Sequence, residues 1–108
     1  MFDTAKEHGE ICDYLKDLFA RKNATYGNSV TKSVDRLGLV SAASFISIKF
    51  DRMVNLLNGA ENKVPDDSFE DTLLDLANYS IIMLAEYRRL KSEREDNNGK
   101  SDILPKEL

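Results

Sequence analysis

The chain has 108 residues, a net charge of −4 and a pI near 5.0, which fits one domain and argues against a basic protein that coats nucleic acid. Its one cysteine, Cys12, allows no internal disulfide. The first residues lack the basic and then apolar pattern of a signal peptide, and no apolar run is long enough to cross a bilayer. These features predict a cytoplasmic protein that is not in a membrane.

The first half of the chain predicts two helices joined by a loop. A helix is expected over about residues 3–22, because apolar residues recur there at helical spacing. The segment KNATYGNSV, residues 22–30, is expected to be a loop. Ser29 is expected to cap a short second helix over residues 30–37, since a serine side chain can accept a hydrogen bond from a first-turn amide.

The second half predicts two longer helices. The third is expected over about residues 40–58, where an Asn-Gly pair supplies the positive φ that ends many helices. The fourth is expected over about residues 68–94. Its first turn pairs Ser68 with Asp71, which resembles a capping box.

The fourth predicted helix is apolar almost all round, which is typical of a helix that is central or shared with another chain. The sequence therefore predicts an all-α fold, an antiparallel bundle of about four helices that is completed by homo-oligomerisation. We expect one domain over residues 1–94, followed by a polar C-terminal tail over residues 95–108.

Polar residues on the last two helices are candidates for a ligand site. Lys49 and Arg52 share one helix face, and an ammonium with a guanidinium fork suits phosphate oxygens. Asp51 lies between them in the sequence. On the last helix, Asp75 and Asn78 have apolar neighbours, and a carboxylate placed there needs a cation, a metal ion or hydrogen-bond donors. A solvated charged face and a structural ion pair are the alternatives.

The segment KNATYGNSV has the composition of a binding loop. Gly27 allows a ligand to approach the backbone closely, and Asn28 and Ser29 offer hydrogen-bond donors. Tyr26 is suited to stack on a base, Lys22 adds a cation, and the N-terminus of the next helix favours an anion. A turn with a helix cap explains the same residues without a ligand.

Three segments together resemble the nucleotide modification associated domain 1 family, which is found largely in bacteriophages and is linked to modified-nucleotide metabolism. They are KNATYGNSV, ISIKFDRMVNLLNG and SFEDTLLDLANYSIIML, and the resemblance covers about residues 20–90. It implies a protein in the cytoplasm of a bacterial host. The site candidates that carry over are Lys22, Tyr26, Gly27, Asn28, Ser29, Lys49, Asp51, Arg52, Asp71, Asp75 and Asn78.

A wider similarity is to the MazG-like all-α nucleoside triphosphate pyrophosphohydrolases. Those enzymes place an ExxE pair and an ExxD pair around magnesium, since a hard cation needs several oxygen ligands. In this chain Thr72 stands where the glutamate of the second pair is expected, and Asp51 has no acidic partner three residues away. Asp71 and Asp75 remain as candidate Mg²⁺ ligands.

The leading hypothesis is a phage-type protein that binds or sequesters a phosphate-bearing nucleotide without hydrolysis and without a cofactor. The nucleotide could be cyclic or modified, for example a host immune signal. Lys49 and Arg52 would bind phosphate, Tyr26 would stack on the base, and Asn28 and Asn78 would read a polar edge. One alternative is a Mg²⁺-dependent MazG-like pyrophosphohydrolase. A second is a helical protein-interaction module.

Overall fold

The protein is all-helical in the computed structural model, which confirms the predicted class. Residues 1–26, 28–61, 68–96, 104 and 108 are described, for residues 24–26 without their side chains, and no strand occurs among them. The helices are α1 (Thr4–Tyr26), α2 (Ser29–Leu37), α3 (Val40–Leu57) and α4 (Phe69–Asp96). None of these helices, within the described residues, is long and apolar enough to cross a membrane.

The ends of α3 and α4 follow the predicted signals. Asn58 is the C-cap of α3, and Gly59 takes a φ of 92°, which a residue with a Cβ rarely adopts. Before α4, the Ser68 hydroxyl accepts a hydrogen bond from the Asp71 amide at 3.0 Å, and the Ser68 amide donates one to the Asp71 carboxylate at 3.4 Å. The predicted capping box is therefore confirmed.

The predicted loop over residues 22–30 is wrong in its first half, because α1 continues to Tyr26. No strong helix breaker precedes Gly27, so the helix extends to the residue before it. Gly27 and the side chain of Tyr26, two of the predicted site groups, lie outside the described residues. The connection between α1 and α2 is consequently much shorter than the sequence suggested.

The predicted cap of α2 is also displaced by one residue. Ser29 is the first residue of α2, and the N-cap is Asn28, in the left-handed region with φ 61° and ψ 37°. Asparagine tolerates this conformation because its short amide side chain bonds locally. Here the Asn28 Oδ1 accepts a hydrogen bond of 2.7 Å from Asn23 Nδ2 of α1, and the Asn28 side chain makes no cap hydrogen bond to α2.

The hydrophobic core lies where α2 and the start of α3 pack against the C-terminal half of α4. Leu104, from beyond α4, completes it with 2% of its surface exposed, and Arg94 donates hydrogen bonds to the carbonyls of Leu104 and Leu108. The core cluster consists of Val34, Leu39, Ala42, Leu90 and Leu104, with Val30, Met83 and Tyr87 packed against it.

Helix α4 contacts all three other helices and presents three different faces. At 100° per residue, Thr72 and Leu90 share a core face, and both are fully buried. The second face, here called the apolar face, consists of Phe69, Leu73 and Leu84, which are 40–48% exposed. The third, here called the cavity face, consists of Asp75, Asn78, Tyr79, Ile82, Glu86 and Arg89.

Candidate ligand-binding site

A cavity of about 890 Å³ opens between α1, the start of α2, α3 and the cavity face of α4. This volume lies within the range of about 300–1,000 Å³ that is typical of small-molecule sites. Its middle is apolar, with Phe19 of α1 and Ile82 of α4 among the lining residues. Phe45 and Tyr79 add a stacked aromatic pair, with ring centroids 5.3 Å apart and planes inclined by 20°. Such walls suit a flat, partly apolar group.

One end of the cavity holds a carboxylate between two lysines, here called the lysine end. The Asp75 carboxylate lies 3.0 Å from Lys49 Nζ and 4.0 Å from Lys22 Nζ, so α1, α3 and α4 meet there. The side chains of Asp75 and Lys49 are 24% and 21% exposed, whereas that of Lys22 is 52% exposed. Asn78, which is buried one turn further along α4, lines the cavity beside them. The lysine end therefore combines partly desolvated charge with a polar amide.

The start of α2 forms another wall of the cavity. Asn28, Ser29 and Thr31 all line it. A helix N-terminus carries a partial positive charge because its first amides lack partners within the helix. The site thus adds the favourable end of a helix dipole to the two lysines, and both favour a negatively charged ligand group.

The opposite end of the cavity is lined by Thr31, Glu86 and Arg89, which together with Asp35 and Glu93 are here called the Arg89 cluster. Glu86 is 5% exposed and accepts hydrogen bonds from the Thr31 hydroxyl and, at 2.5 Å, from Arg89 Nε. The same guanidinium donates to Asp35 at 2.8 Å and to Glu93 at 2.9 Å. The cluster ties α2 to α4 and thereby fixes the start of α2 at the cavity.

The partners of Arg89 stabilise the charged form of its guanidinium. Burial by itself lowers the pKa of the Arg89 guanidinium, but hydrogen bonds to Glu86, Asp35 and Glu93 outweigh burial and raise that pKa above its ordinary value. The guanidinium, which is charged at any physiological pH, compensates the buried Glu86 carboxylate.

Six of the predicted site residues come together at this cavity. Five of them line the cavity, namely Lys22, Asn28, Ser29, Asp75 and Asn78. The sixth, Lys49, forms an ion pair with the lining residue Asp75. Asp51 and Arg52 instead line a second cavity of about 390 Å³, and Arg52 Nε donates a 3.1 Å hydrogen bond to Thr72. Three residues along a helix correspond to a 60° difference in direction, enough for Lys49 and Arg52 to reach different neighbours.

The two candidate magnesium ligands have different partners in the structure. The Asp71 carboxylate is engaged by Ser68 in the capping box, whereas Asp75 lies between two lysines. Within the described parts of the chain, no group of three or more His, Cys, Asp or Glu side chains could hold a metal ion. Mg²⁺ is usually held by one or two carboxylates together with waters and substrate phosphates, and both of these carboxylates have other partners in this structure.

Sequence reasoning missed the aromatic pair of Phe45 and Tyr79 and the Arg89 cluster. The sequence did contain a signal for the α4 residues of these two features, because polar and apolar residues recur every three or four positions along the cavity face. The stronger apolar pattern around the same helix hid this mixed stripe. Phe45 carried no such signal, since its pairing depends on how α3 packs against α4.

Comparison with known proteins agrees with the resemblance seen in the sequence. A family model described as nucleotide modification associated domain 1 matches residues 22–86, which is more than half of the chain. The matched segment includes both Lys22 and Glu86, at opposite ends of the cavity. No curated protein and no solved structure matches the chain. The wider similarity to MazG-like enzymes is therefore not supported by these comparisons.

Proposed function

The chain belongs to the nucleotide modification associated domain 1 family, and from this premise we propose that its 890 Å³ cavity binds a nucleotide. The observation that carries the proposal is the pairing of an aromatic, apolar middle with the lysine end. Phe45 and Tyr79 form the wall on which a base packs, because flat aromatic surfaces favour offset stacking. Lys22 and Lys49 bind the phosphate, and Asn78 reads a polar edge of the base or sugar.

We further propose that the protein holds its ligand without hydrolysing it. Asp75 is already compensated by two ammonium groups, so its role is to orient the lysines rather than to bind a metal ion. In the phage setting that the sequence resemblance implies, such a protein would sequester a nucleotide or hand it to a partner enzyme. The Mg²⁺-dependent pyrophosphohydrolase remains the competing proposal, and one experiment distinguishes the two.

The test incubates the pure protein with linear and cyclic nucleotides, with and without Mg²⁺ or Mn²⁺. The protein is then separated from solution and denatured, and both fractions are chromatographed. We expect an intact nucleotide to be released from the denatured protein, with or without metal. A monophosphate product that forms only with metal would support the hydrolase instead. Recovery of neither ligand nor product would contradict nucleotide binding.

A matched pair of lysine variants on α1 locates the binding site. Lys22→Ala removes a cation from the lysine end, whereas Lys6→Ala removes a surface cation that forms a similar 4.0 Å ion pair with Glu10. We expect the dissociation constant, measured by isothermal titration calorimetry, to rise about tenfold for Lys22→Ala, because one charged contact with the phosphate is lost. Equal affinities of the two variants would place the ligand elsewhere.

We also propose that the helices form an antiparallel bundle that a second copy of the chain completes. The single chain has a radius of gyration of 16.4 Å, against about 13 Å expected for a compact domain of this length. The apolar face of α4 and the side chains of Ile11 and Tyr14 on α1 are exposed. Apolar surface of this kind on neighbouring helices is typical of a protein interface.

Light scattering on the pure protein tests this assembly. We expect a dimer or a higher oligomer at micromolar concentration, and a monomer for the double variant Leu73→Asp and Leu84→Asp, because buried unpaired carboxylates oppose association. A double variant with Asp at the exposed positions Lys32 and Arg36 of α2 is the control. A monomeric wild-type protein would contradict the proposal.

A further inference from the structure

We infer that the cavity selects nucleotides with a single phosphate charge, such as cyclic mononucleotides with a phosphodiester, over nucleoside triphosphates. This inference rests on the proposed nucleotide binding and adds the charge class of the ligand. It follows from the carboxylates that stand at both ends of the cavity.

At the lysine end, Asp75 limits the charge that the site can accept. Its carboxylate lies between Lys22 and Lys49, so two cations of this end face one anion. A phosphodiester monoanion can share these lysines with Asp75, as an additional member of the ion-pair network. Each further phosphate charge meets repulsion from the Asp75 carboxylate at short range, where partial burial weakens the screening by water.

At the opposite end, the carboxylates of the Arg89 cluster also repel additional phosphate charge. Glu86 lies eleven residues beyond Asp75 on α4, which corresponds to about 16 Å along the helix axis. There Arg89 contacts three carboxylates, those of Asp35, Glu86 and Glu93. A polyphosphate that extends along the cavity therefore approaches an end where carboxylates outnumber the guanidinium.

The charges of the described residues that line the cavity leave an excess of one cation, and the charges of their ion-pair partners reduce this excess to zero. Lys16, on α1, also lines the cavity and is the cation that belongs to neither end. Among the described lining residues, three cations, Lys16, Lys22 and Arg89, stand against two carboxylates, Asp75 and Glu86. The ion-pair partners just outside the lining add one cation, Lys49, and two carboxylates, Asp35 and Glu93. A cavity with this balance suits a ligand with a low net charge, because a highly charged ligand loses its hydration without full compensation.

The direct test compares two ligand series in buffer that contains EDTA. The 3′,5′-cyclic monophosphate and the 5′-triphosphate of adenosine, guanosine, cytidine and uridine are measured by equilibrium dialysis. For the base that binds best, we expect the cyclic monophosphate to bind at least about tenfold tighter than the triphosphate, about 1.4 kcal/mol. A triphosphate that binds equally or more tightly would overturn this inference and leave nucleotide binding intact. Absence of binding in both series would overturn the proposed function itself.

Substitution of Asp75 tests the cause of the selectivity. Asp75→Asn keeps the size of the side chain and removes its charge, so we expect the preference for the cyclic monophosphate to fall at least about fivefold. Asp71→Asn, which removes a carboxylate from the capping box on the same helix, should leave the preference unchanged. A preference that Asp75→Asn does not alter would overturn the assignment.

A second variant covers the case in which Asp75→Asn does not fold. Lys22→Gln removes a cation from a half-exposed side chain, so little effect on folding is expected. It should weaken triphosphate binding by a larger factor than cyclic monophosphate binding, because more phosphate charge loses its partner. Equal weakening of the two ligands would contradict the inference.

Discussion

The apolar face and the cavity face of α4 lie on opposite sides of one helix and reverse the usual arrangement of side chains. Phe69, Leu73 and Leu84 are 40–48% exposed, whereas Asn78 and Glu86 are 8% and 5% exposed. Buried polar groups destabilise a fold unless hydrogen bonds compensate them, and the apolar area that stays exposed contributes nothing to the hydrophobic effect. A single helix with both features is suited to two kinds of contact, a polar ligand on one side and a protein surface on the other.

The two faces also differ in how their side chains are supported. The cavity face is held by ion pairs from α1, α2 and α3, through Lys22, Asp35 and Lys49. The side chains of the apolar face are aligned by the spacing of residues along the helix, and as hydrocarbon groups they form no ion pairs. Ion pairs on the polar side as well as packing on the core face therefore hold α4 against the other helices, and substitutions on its three faces should differ in their effects.

The largest loss of stability is expected for a substitution on the core face, and the matched substitution on the apolar face should cost much less. Leu90→Ala removes a fully buried side chain from the core cluster and should lower the free energy of unfolding by about 2–5 kcal/mol. Leu84→Ala removes the same group from a position that is 48% exposed, so we expect a loss below about 1 kcal/mol at concentrations where the chain is monomeric.

Urea denaturation followed by circular dichroism measures both variants. The measurement is repeated at higher protein concentration. If the apolar face forms an interface, the stability loss of Leu84→Ala relative to wild type should then increase. Equal losses for Leu90→Ala and Leu84→Ala in the monomer would show that the two faces do not differ in burial as described.

A smaller effect is expected within the Arg89 cluster. Glu86→Ala leaves the Thr31 hydroxyl and Arg89 Nε without their buried acceptor and should cost about 2–3 kcal/mol. Glu93→Ala removes a partner of the same guanidinium from a side chain that is 46% exposed, so the expected cost is below about 1 kcal/mol. Thermal unfolding of both variants provides the comparison, and a larger loss for Glu93→Ala would contradict it.

The smallest effect is expected at the first turn of α4, on the same side as the cavity face. Asp71→Ala removes half of the capping box and should lower stability by about 1 kcal/mol. Nucleotide affinity should stay the same, because Asp71 does not line the cavity. Loss of binding in a variant that remains folded would extend the ligand site to the start of α4 and favour the metal-dependent alternative.

The sequence predicted the helices well because their signals are local. The Asn-Gly end of α3 and the Ser68–Asp71 capping box each depend on residues within one turn. The end of α1 was misplaced since Asn23 and Thr25 are permissive in helices and in loops alike. In the structure the Asn23 side chain donates a hydrogen bond to Asn28 Oδ1, and residue propensities do not predict this contact.

The candidate site was only partly predictable because its contacts join distant parts of the chain. Lys22, Asp75 and Asn78 were recognised from residue type and from neighbouring apolar positions. The contact of Thr31 with Glu86 spans 55 residues, and helical periodicity carries no information on such pairs. Asp51 and Arg52 looked equivalent to Lys49 for the same reason, and packing directs them to a different cavity.

The burial of Leu104 changes where this protein can safely be shortened. The last helix ends at Asp96, and the composition beyond it is polar, so an expression boundary after α4 would look harmless. Such a boundary removes the leucine that packs with Val34 and Leu90, together with the carbonyls that Arg94 binds. A protein that stops at residue 96 should therefore behave in purification like a core mutant, although it retains every residue of the four helices.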